Sequence, residues 1–222
     1  MTALSQSGSP LGGYRLVIFD LDGTLADSYP WFLRNLNSVI ARFGLKPVTG
    51  ADIERLRGAD PREILAHLGV RRWKMPMIAR YIRRLKAQHI GGIPLFSGVD
   101  EVLRALTAKG VTLAMVSSDE ESNVRRTLGE RNAALFAHYA CSASMFGKAR
   151  KFRSVLRKTG VAPGEVLCIG DEIRDLEAAR AAGLAFGGVA WGYTDARALA
   201  ARGPDAMFAS LGDILKMVKA PR

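Results

Sequence analysis

The chain has 222 residues, 48% of them apolar and 24% charged, which suffices for one filled core with a small satellite and excludes a disordered chain. Only two cysteines occur, Cys141 and Cys168, so a disulfide framework and a cysteine-based zinc site are excluded, and a reducing cytoplasm is the expected compartment. Lys and Arg number 32 against 21 Asp and Glu, a net charge of +11 that raises the question of anionic partners.

The first 13 residues are rich in Ser and Gly and read as a loose tail. They lack the basic start and apolar stretch of a secretory signal. No apolar run anywhere approaches the ~18–20 residues of a membrane span. Leu16 to Asp20, LVIFD, is a short apolar run ending in an acid, the pattern of a strand buried on both faces. Residues 27–93 then contain no strand pattern. Helical periodicity appears around Trp31–Phe43, Pro61–Leu68 and Trp73–His89, and Gly91-Gly92-Ile93-Pro94 reads as a return linker. Residues 54–86 carry ten Lys and Arg against three acids, which reads either as a solvated face or as an anion-binding one.

From Ser97 the pattern alternates. Ser97 is read as the cap of a helix with Val99, Val102, Leu103 and Leu106 on its apolar face and Gly110 beyond its end. The run VTLAMVSS (Val111–Ser118) is a second buried strand. A basic helix follows over Lys148–Thr159, stopped by Gly160. VLCIGD (Val166–Asp171) is a third strand, followed by a helix ending at Gly183. LAFGGVA (Leu184–Ala190) is a further strand, and Leu211–Val218 a final helix. Strands alternating with helices predict a parallel sheet with right-handed crossovers, and an all-helical insertion after the first strand.

Three polar clusters sit where these strands end, the usual place for ligands in an open parallel sheet. The first is Asp20-Leu21-Asp22-Gly23-Thr24. Two carboxylates two residues apart in extended chain face one way and repel, unless a cation holds them or one keeps a proton. Gly23 permits a tight departure of the backbone. The second cluster is Ser117-Ser118-Asp119. The third is Gly170-Asp171-Glu172-Ile173-Arg174-Asp175, whose Asp171 and Asp175 share one side of a helix start and suit a hard cation such as Mg²⁺, although the helix dipole alone also favours an acid at Asp175.

With D-x-D-G-T off the first strand, then a strand-end Ser, a Lys and G-D-x-x-x-D in that order, the chain resembles the haloacid dehalogenase superfamily. The likeness is to phosphoglycolate phosphatase-like members with a helical cap inserted after the first motif, and Trp191-Gly192-Tyr193 is similar to that branch as well. The resemblance implies an α/β fold: a Rossmann-like three-layer parallel sheet core over residues 14–26 and 94–222, with a helical cap over 27–93. It implies a Mg²⁺-dependent phosphatase in which Asp20 is the nucleophile, forming an aspartyl-phosphate, and Asp22 the general acid and base. Ser117, with Ser118, would bind the phosphoryl oxygens and Lys148 would neutralise their charge. Gly23 and Thr24 would complete the phosphate cradle. The metal would be held by the Asp20 carboxylate, the Asp22 carbonyl and Asp171, with Asp175 in support. Dehalogenases of the fold lack an acid at the position of Asp22, so its presence favours phosphate esters over carbon–halogen bonds. The sequence departs from the family at Ser118, where Asn is frequent, and at Ala149, where Pro often follows the motif lysine; Lys151, three residues on, is the alternative to Lys148.

The expected partner is a small phosphorylated metabolite, with Arg55, Arg57 or Arg62 offered as partners of a second anionic group, and the expected state is a monomer, with a dimer left open. A phosphosugar mutase of the same fold, and a phosphatase of nucleotides or nucleic-acid ends using the basic surface, are the alternatives. A nucleic-acid-binding role is motivated by charge alone, since no helix-turn-helix, zinc finger or aromatic RNA-binding signature is present. His67, His89 and His138 show no metal spacing. Trp31, Trp73 and Trp191 are assigned to packing, Asp27-Ser28 to a hinge or a helix cap, and the Gly183–Gly188 stretch is no dinucleotide fingerprint.

Overall fold

The computed structural model describes residues 13–141 and 147–219. The tail reading for residues 1–12 lies outside them, as does Phe146, which the sequence assigns with Gly147 to a loop entering the helix at Lys148. Six strands are present among the described residues: β1 Leu16–Phe19, β2 Thr112–Ser117, β3 Phe136–Cys141, β4 Val166–Gly170, β5 Ala185–Val189 and β6 Ala206–Phe208. They form one parallel sheet in the order β3-β2-β1-β4-β5-β6. In register, Ile18 of the central strand lies between Ala114 and Cys168. β1 is buried at every position, as its uninterrupted apolar sequence requires.

The strands alternate their side chains between two apolar layers. Val17, Phe19, Leu113, Met115, Leu167 and Ile169 pack on one side against α5 (Val99–Ala108), α6 (Glu121–Ala133) and α10 (Leu211–Met217). Leu16, Ile18, Ala114, Val116, Val166 and Cys168 pack on the other against α7 (Lys148–Thr159), α8 (Ile173–Ala181) and α9 (Ala196–Ala201). The result is the expected three-layer α/β core.

Between β1 and α5 the chain is helical: α1 Tyr29–Phe43, α2 Gly50–Arg57, α3 Pro61–His67 and α4 Met75–His89, with 3-10 turns at Arg72–Lys74 and Ile90–Gly92. Local chemistry sets their ends. Thr49 with Asp52, and Asp60 with Glu63, form reciprocal capping boxes for α2 and α3, and Gly44 closes α1 in the left-handed region. Leu36, Val39, Ile40 and Leu45 give this insertion an apolar centre of its own. Its two connections run side by side: Asp27 N donates to Pro94 O at 2.9 Å, Phe96 N to Leu25 O at 2.9 Å, and Ala26 bridges Leu95 in antiparallel fashion.

Several sequence expectations need correction. Ser97 does not cap α5; the cap position is Gly98, at φ 90°, and it offers no side-chain acceptor. Trp73 is not a packing residue: it is 61% exposed, with Lys74 over its ring. Ser28 occupies the cap position of α1 without capping it, and its hydroxyl instead meets the Tyr193 hydroxyl at 3.0 Å. Strands β3 and β6 and helices α2, α6 and α9 went unread in the sequence.

Candidate active site

The β1 strand delivers Asp20 to the sheet's carboxyl end, where its backbone N–H is tied to Ile169 O at 2.9 Å. The chain then turns tightly. The Leu21 carbonyl accepts from the N–H groups of Thr24, Leu25 and Ala26, at 3.2, 2.9 and 2.9 Å. Gly23 makes this possible at φ 76°. A Cβ there would drive into the Asp171 carboxylate and lie 2.6 Å from the Tyr193 ring, so the turn presses directly on the end of β4.

Three carboxylates meet at that point. Asp20, Asp171 and Asp175 are 7%, 0% and 1% exposed, and an oxygen of each lies within 4.8 Å of the others. Lys148, the first residue of α7, places Nζ 2.8 Å from Asp20 Oδ2 and 2.5 Å from Asp175 Oδ1. Asp171 accepts from Thr24 Oγ1 at 2.9 Å and from the Tyr193 N–H at 2.8 Å. Asp175 Oδ2, also buried, has no hydrogen-bond partner. Burial, with the charges of Glu172, Asp20 and Asp175, pushes the Asp171 carboxyl well above its ordinary range. Burial also raises Asp20, against the lowering pull of Lys148. Three buried acids facing one lysine leave negative charge in excess. With an unpartnered carboxylate oxygen among them and no nitrogen or sulfur donor, the set fits a hard divalent cation such as Mg²⁺.

Beside this cluster, β2 ends in Ser117, buried, whose Oγ accepts from Asp119 N at 3.1 Å; Ser118 is half-buried at the same strand end. Lys151 donates to the Ser117 carbonyl at 2.5 Å, whereas Lys148 meets Asp20 and Asp175 of the acid cluster. Burial, together with neighbouring Lys148, lowers Lys151 to about 8.

Asp22 does not join Asp20. Its carboxylate turns toward the insertion, where Lys86 of α4 donates to both oxygens at 2.7 and 2.8 Å. The same Nζ lies 2.9 Å from Asp119 Oδ2. Lys86 is 4% exposed, and although burial opposes its charge, Asp22 and Asp119 hold its pKa above the usual lysine value. Sequence reasoning missed Lys86 because it sits in a basic run. The available signal was its phase: Met75, Ala79, Ile82 and Lys86 form one stripe of α4, and a lysine on a buried stripe requires a partner. Asp119 was noticed only as part of a cluster; it now appears as a buried acceptor for Asn123 Nδ2 and the Glu120 N–H, at 2.9 and 2.7 Å.

Of the three arginines offered as anion partners, Arg55 meets His67 and Asp52 at the surface, Arg62 stands in the first turn of α3, and Arg57 donates to two backbone carbonyls of the core. Trp191 packs on the core, its Nε1 donating to Thr24 O at 3.1 Å.

Comparison with known proteins finds relatives over most of the chain. A model of the haloacid dehalogenase-like hydrolases matches residues 17–189. A phosphoglycolate phosphatase of Synechococcus elongatus is 30% identical over 203 residues, covering 91% of this chain and 96% of the relative. One from Agrobacterium fabrum is 32% identical over 191 residues, covering 81% and 82%. Among solved structures, a Lactobacillus plantarum protein provisionally named phosphoglycolate phosphatase superposes with a TM-score of 0.79 at 24% identity, covering 92% of this chain and 99% of that one. CbbY from Rhodobacter sphaeroides, solved in complex with phosphate, gives 0.70 at 20% identity, over 90% and 96%.

Proposed function

The chain belongs to the haloacid dehalogenase-like hydrolase family, and from that premise we propose that it is a phosphatase of small phosphomonoesters with phosphoglycolate as its model substrate. The observation that carries this reading is Lys148 bridging Asp20 and Asp175 within a buried, unneutralised group of three carboxylates at the sheet's carboxyl end. The names of the relatives support a phosphatase rather than a mutase or a nucleic-acid-end enzyme.

In the proposed reaction an Asp20 oxygen attacks phosphorus while the ester P–O bond breaks, and the departing oxygen takes a proton from Asp22. Asp22 then removes a proton from water, whose oxygen attacks the aspartyl-phosphate, releasing phosphate and restoring Asp20. Ser117, Ser118 and the turn around Gly23 and Thr24 receive the phosphoryl oxygens, and Lys148 orients Asp20. Asp20, Asp171 and the Asp22 carbonyl would hold Mg²⁺, with Asp175 in support; when bound, it screens the repulsion between carboxylate and phosphate dianion. Residues 27–93 act as a cap over 14–26 and 94–222. Lys86, already beside the proton donor, is the cation that meets a carboxylate on the leaving group, in place of the arginines suggested by sequence.

The test is phosphate release from 2-phosphoglycolate, hexose phosphates, nucleoside monophosphates and p-nitrophenyl phosphate, with Mg²⁺ or EDTA. Release that requires Mg²⁺ and disappears in Asp20→Asn is the expected result. Turnover persisting in Asp20→Asn would overturn the mechanism, and a hexose 1-phosphate converted to the 6-phosphate without release would make the protein a mutase.

A further inference from the structure

Arg57 ends α2 and reaches across to the core. Its Nε donates to Tyr193 O at 3.1 Å and its Nη2 to Gly192 O at 3.0 Å. The guanidinium lies 5.0 Å from the centre of the Tyr29 ring, and the Arg57 carbonyl accepts from Asp195 N at 2.9 Å. These contacts hold one arginine of the insertion on one turn of the core.

The Gly192 carbonyl and the Tyr193 N–H are opposite ends of a single peptide group. Its N–H end donates to Asp171 Oδ2 at 2.8 Å. One rigid plane therefore carries the insertion's cation on its carbonyl and a carboxylate of the acid cluster on its N–H. A cation on the carbonyl polarises the amide and strengthens the N–H as a donor. It also fixes the plane that aims this N–H. The fit is close: a Cβ at Gly192 would collide with the Asp171 side chain, so the peptide lies directly against that carboxylate.

We infer that Arg57 is a positioning residue for the cation site, acting through the Gly192–Tyr193 peptide on Asp171, so that docking of the helical insertion and metal affinity are linked. The inference rests on the reading of Asp171 as a metal-holding carboxylate. Partners of a ligand commonly set its orientation, and their loss weakens metal binding by about 10–100-fold. Linkage is reciprocal: a cation held by Asp171 in turn favours the docked insertion.

The experiment is Mg²⁺ binding by calorimetry without substrate, together with trypsin cleavage in the insertion, where Arg71 and Arg72 are exposed. In Arg57→Met the dissociation constant for Mg²⁺ rises about tenfold, the low end of that range because the effect passes through a peptide. Mg²⁺ protects the wild-type insertion from trypsin and fails to protect this variant's. Arg57→Lys, which keeps the charge and one donor, falls between, and it carries the test if the Met variant melts early. The control is Arg126→Ala, which breaks another contact between core and insertion, Arg126 Nη1 to Ala87 O at 3.3 Å, and leaves the constant within twofold. An unchanged constant in Arg57→Met, or an equal loss in Arg126→Ala, overturns the inference. Wild-type protein that binds no Mg²⁺, or Asp171→Asn that binds it equally well, overturns instead the metal reading beneath it.

Discussion

Lys86 and Asp22 are 64 residues apart and joined by two hydrogen bonds of 2.7 and 2.8 Å. They link the helical insertion to the first turn of the core at the residue assigned to proton transfer. Asp119 completes the arrangement from a second strand end, 2.9 Å from the same Nζ. An ammonium so placed is buried and oriented by two carboxylates.

Removal of that ammonium discriminates between substrates. Lys86→Met lowers kcat/KM for 2-phosphoglycolate by about 100-fold, the scale of a lost charge-assisted hydrogen bond in a dry site. For 2-hydroxyethyl phosphate, of similar size without the carboxylate, the loss is about fivefold or less. Steady-state kinetics on both esters checks this; equal losses would assign Lys86 to structure alone.

Lys148 is the cation paired with two of the three buried acids, Asp20 and Asp175. Lys148→Met abolishes turnover and destabilises the metal-free protein by about 3–5 kcal/mol, because it leaves buried carboxylates uncompensated. Mg²⁺ recovers part of that stability. Denaturant unfolding in EDTA and in Mg²⁺ measures both effects. Lys151→Met, at a residue that donates to the Ser117 carbonyl, retains the larger activity of the two.

The pH dependence of stability has a definite sign. Asp20 and Asp171 bind their protons more tightly folded than unfolded, since both carboxyls are raised above 3.8 by burial. Their stabilising contribution is complete below that value and is lost as pH rises through the raised ones. Melting in EDTA therefore shows a falling contribution from these groups as pH climbs above about 4, and this fall is smaller in Asp171→Asn. The gain on adding Mg²⁺ grows over the same range, because the metal takes ionised carboxylates. A Mg²⁺ increment independent of pH would contradict the assignment.

Gly192 is constrained by contact. Gly192→Ala places a methyl within 2.6 Å of the Asp171 carboxyl carbon, costs about 1–3 kcal/mol as overpacking, and weakens Mg²⁺ binding. Gly164→Ala, where nothing lies within 4 Å of the new methyl, is the comparison and leaves both unchanged. Thermal melting and calorimetry of the pair separate the site from glycine effects in general.

How much of this was legible in the sequence follows from burial. β1, β2, β4 and β5 lie inside the sheet and read as apolar runs. β3 lies at an edge, buried only at Phe136, and its FAHYAC sequence carries neither an apolar run nor an alternation. β6 spans three residues, and α6 is interrupted at Gly129, at φ 73°, which erases its helical period. Asp20, Lys148, Asp171 and Asp175 lie together in the structure, and the sequence could group them because each stands at a strand end or helix start whose position the pattern fixes. Lys86 and Arg57 reach the core through the packing of the insertion, a long-range relationship that local periodicity does not encode.

The side-by-side connections at Asp27 and Pro94 bear on how the chain could be rewired. Their backbones approach within 2.9 Å, so a turn of a few residues could replace everything between them. Closing so short a gap costs little chain entropy. The shortened chain would retain every strand, the acid cluster and Lys148, yet lose Lys86 and Arg57 together. On the proposed reading, chemistry and selectivity occupy separable lengths of polypeptide, and exchanging the excised piece for another helical segment would re-address the same reaction to a different ester.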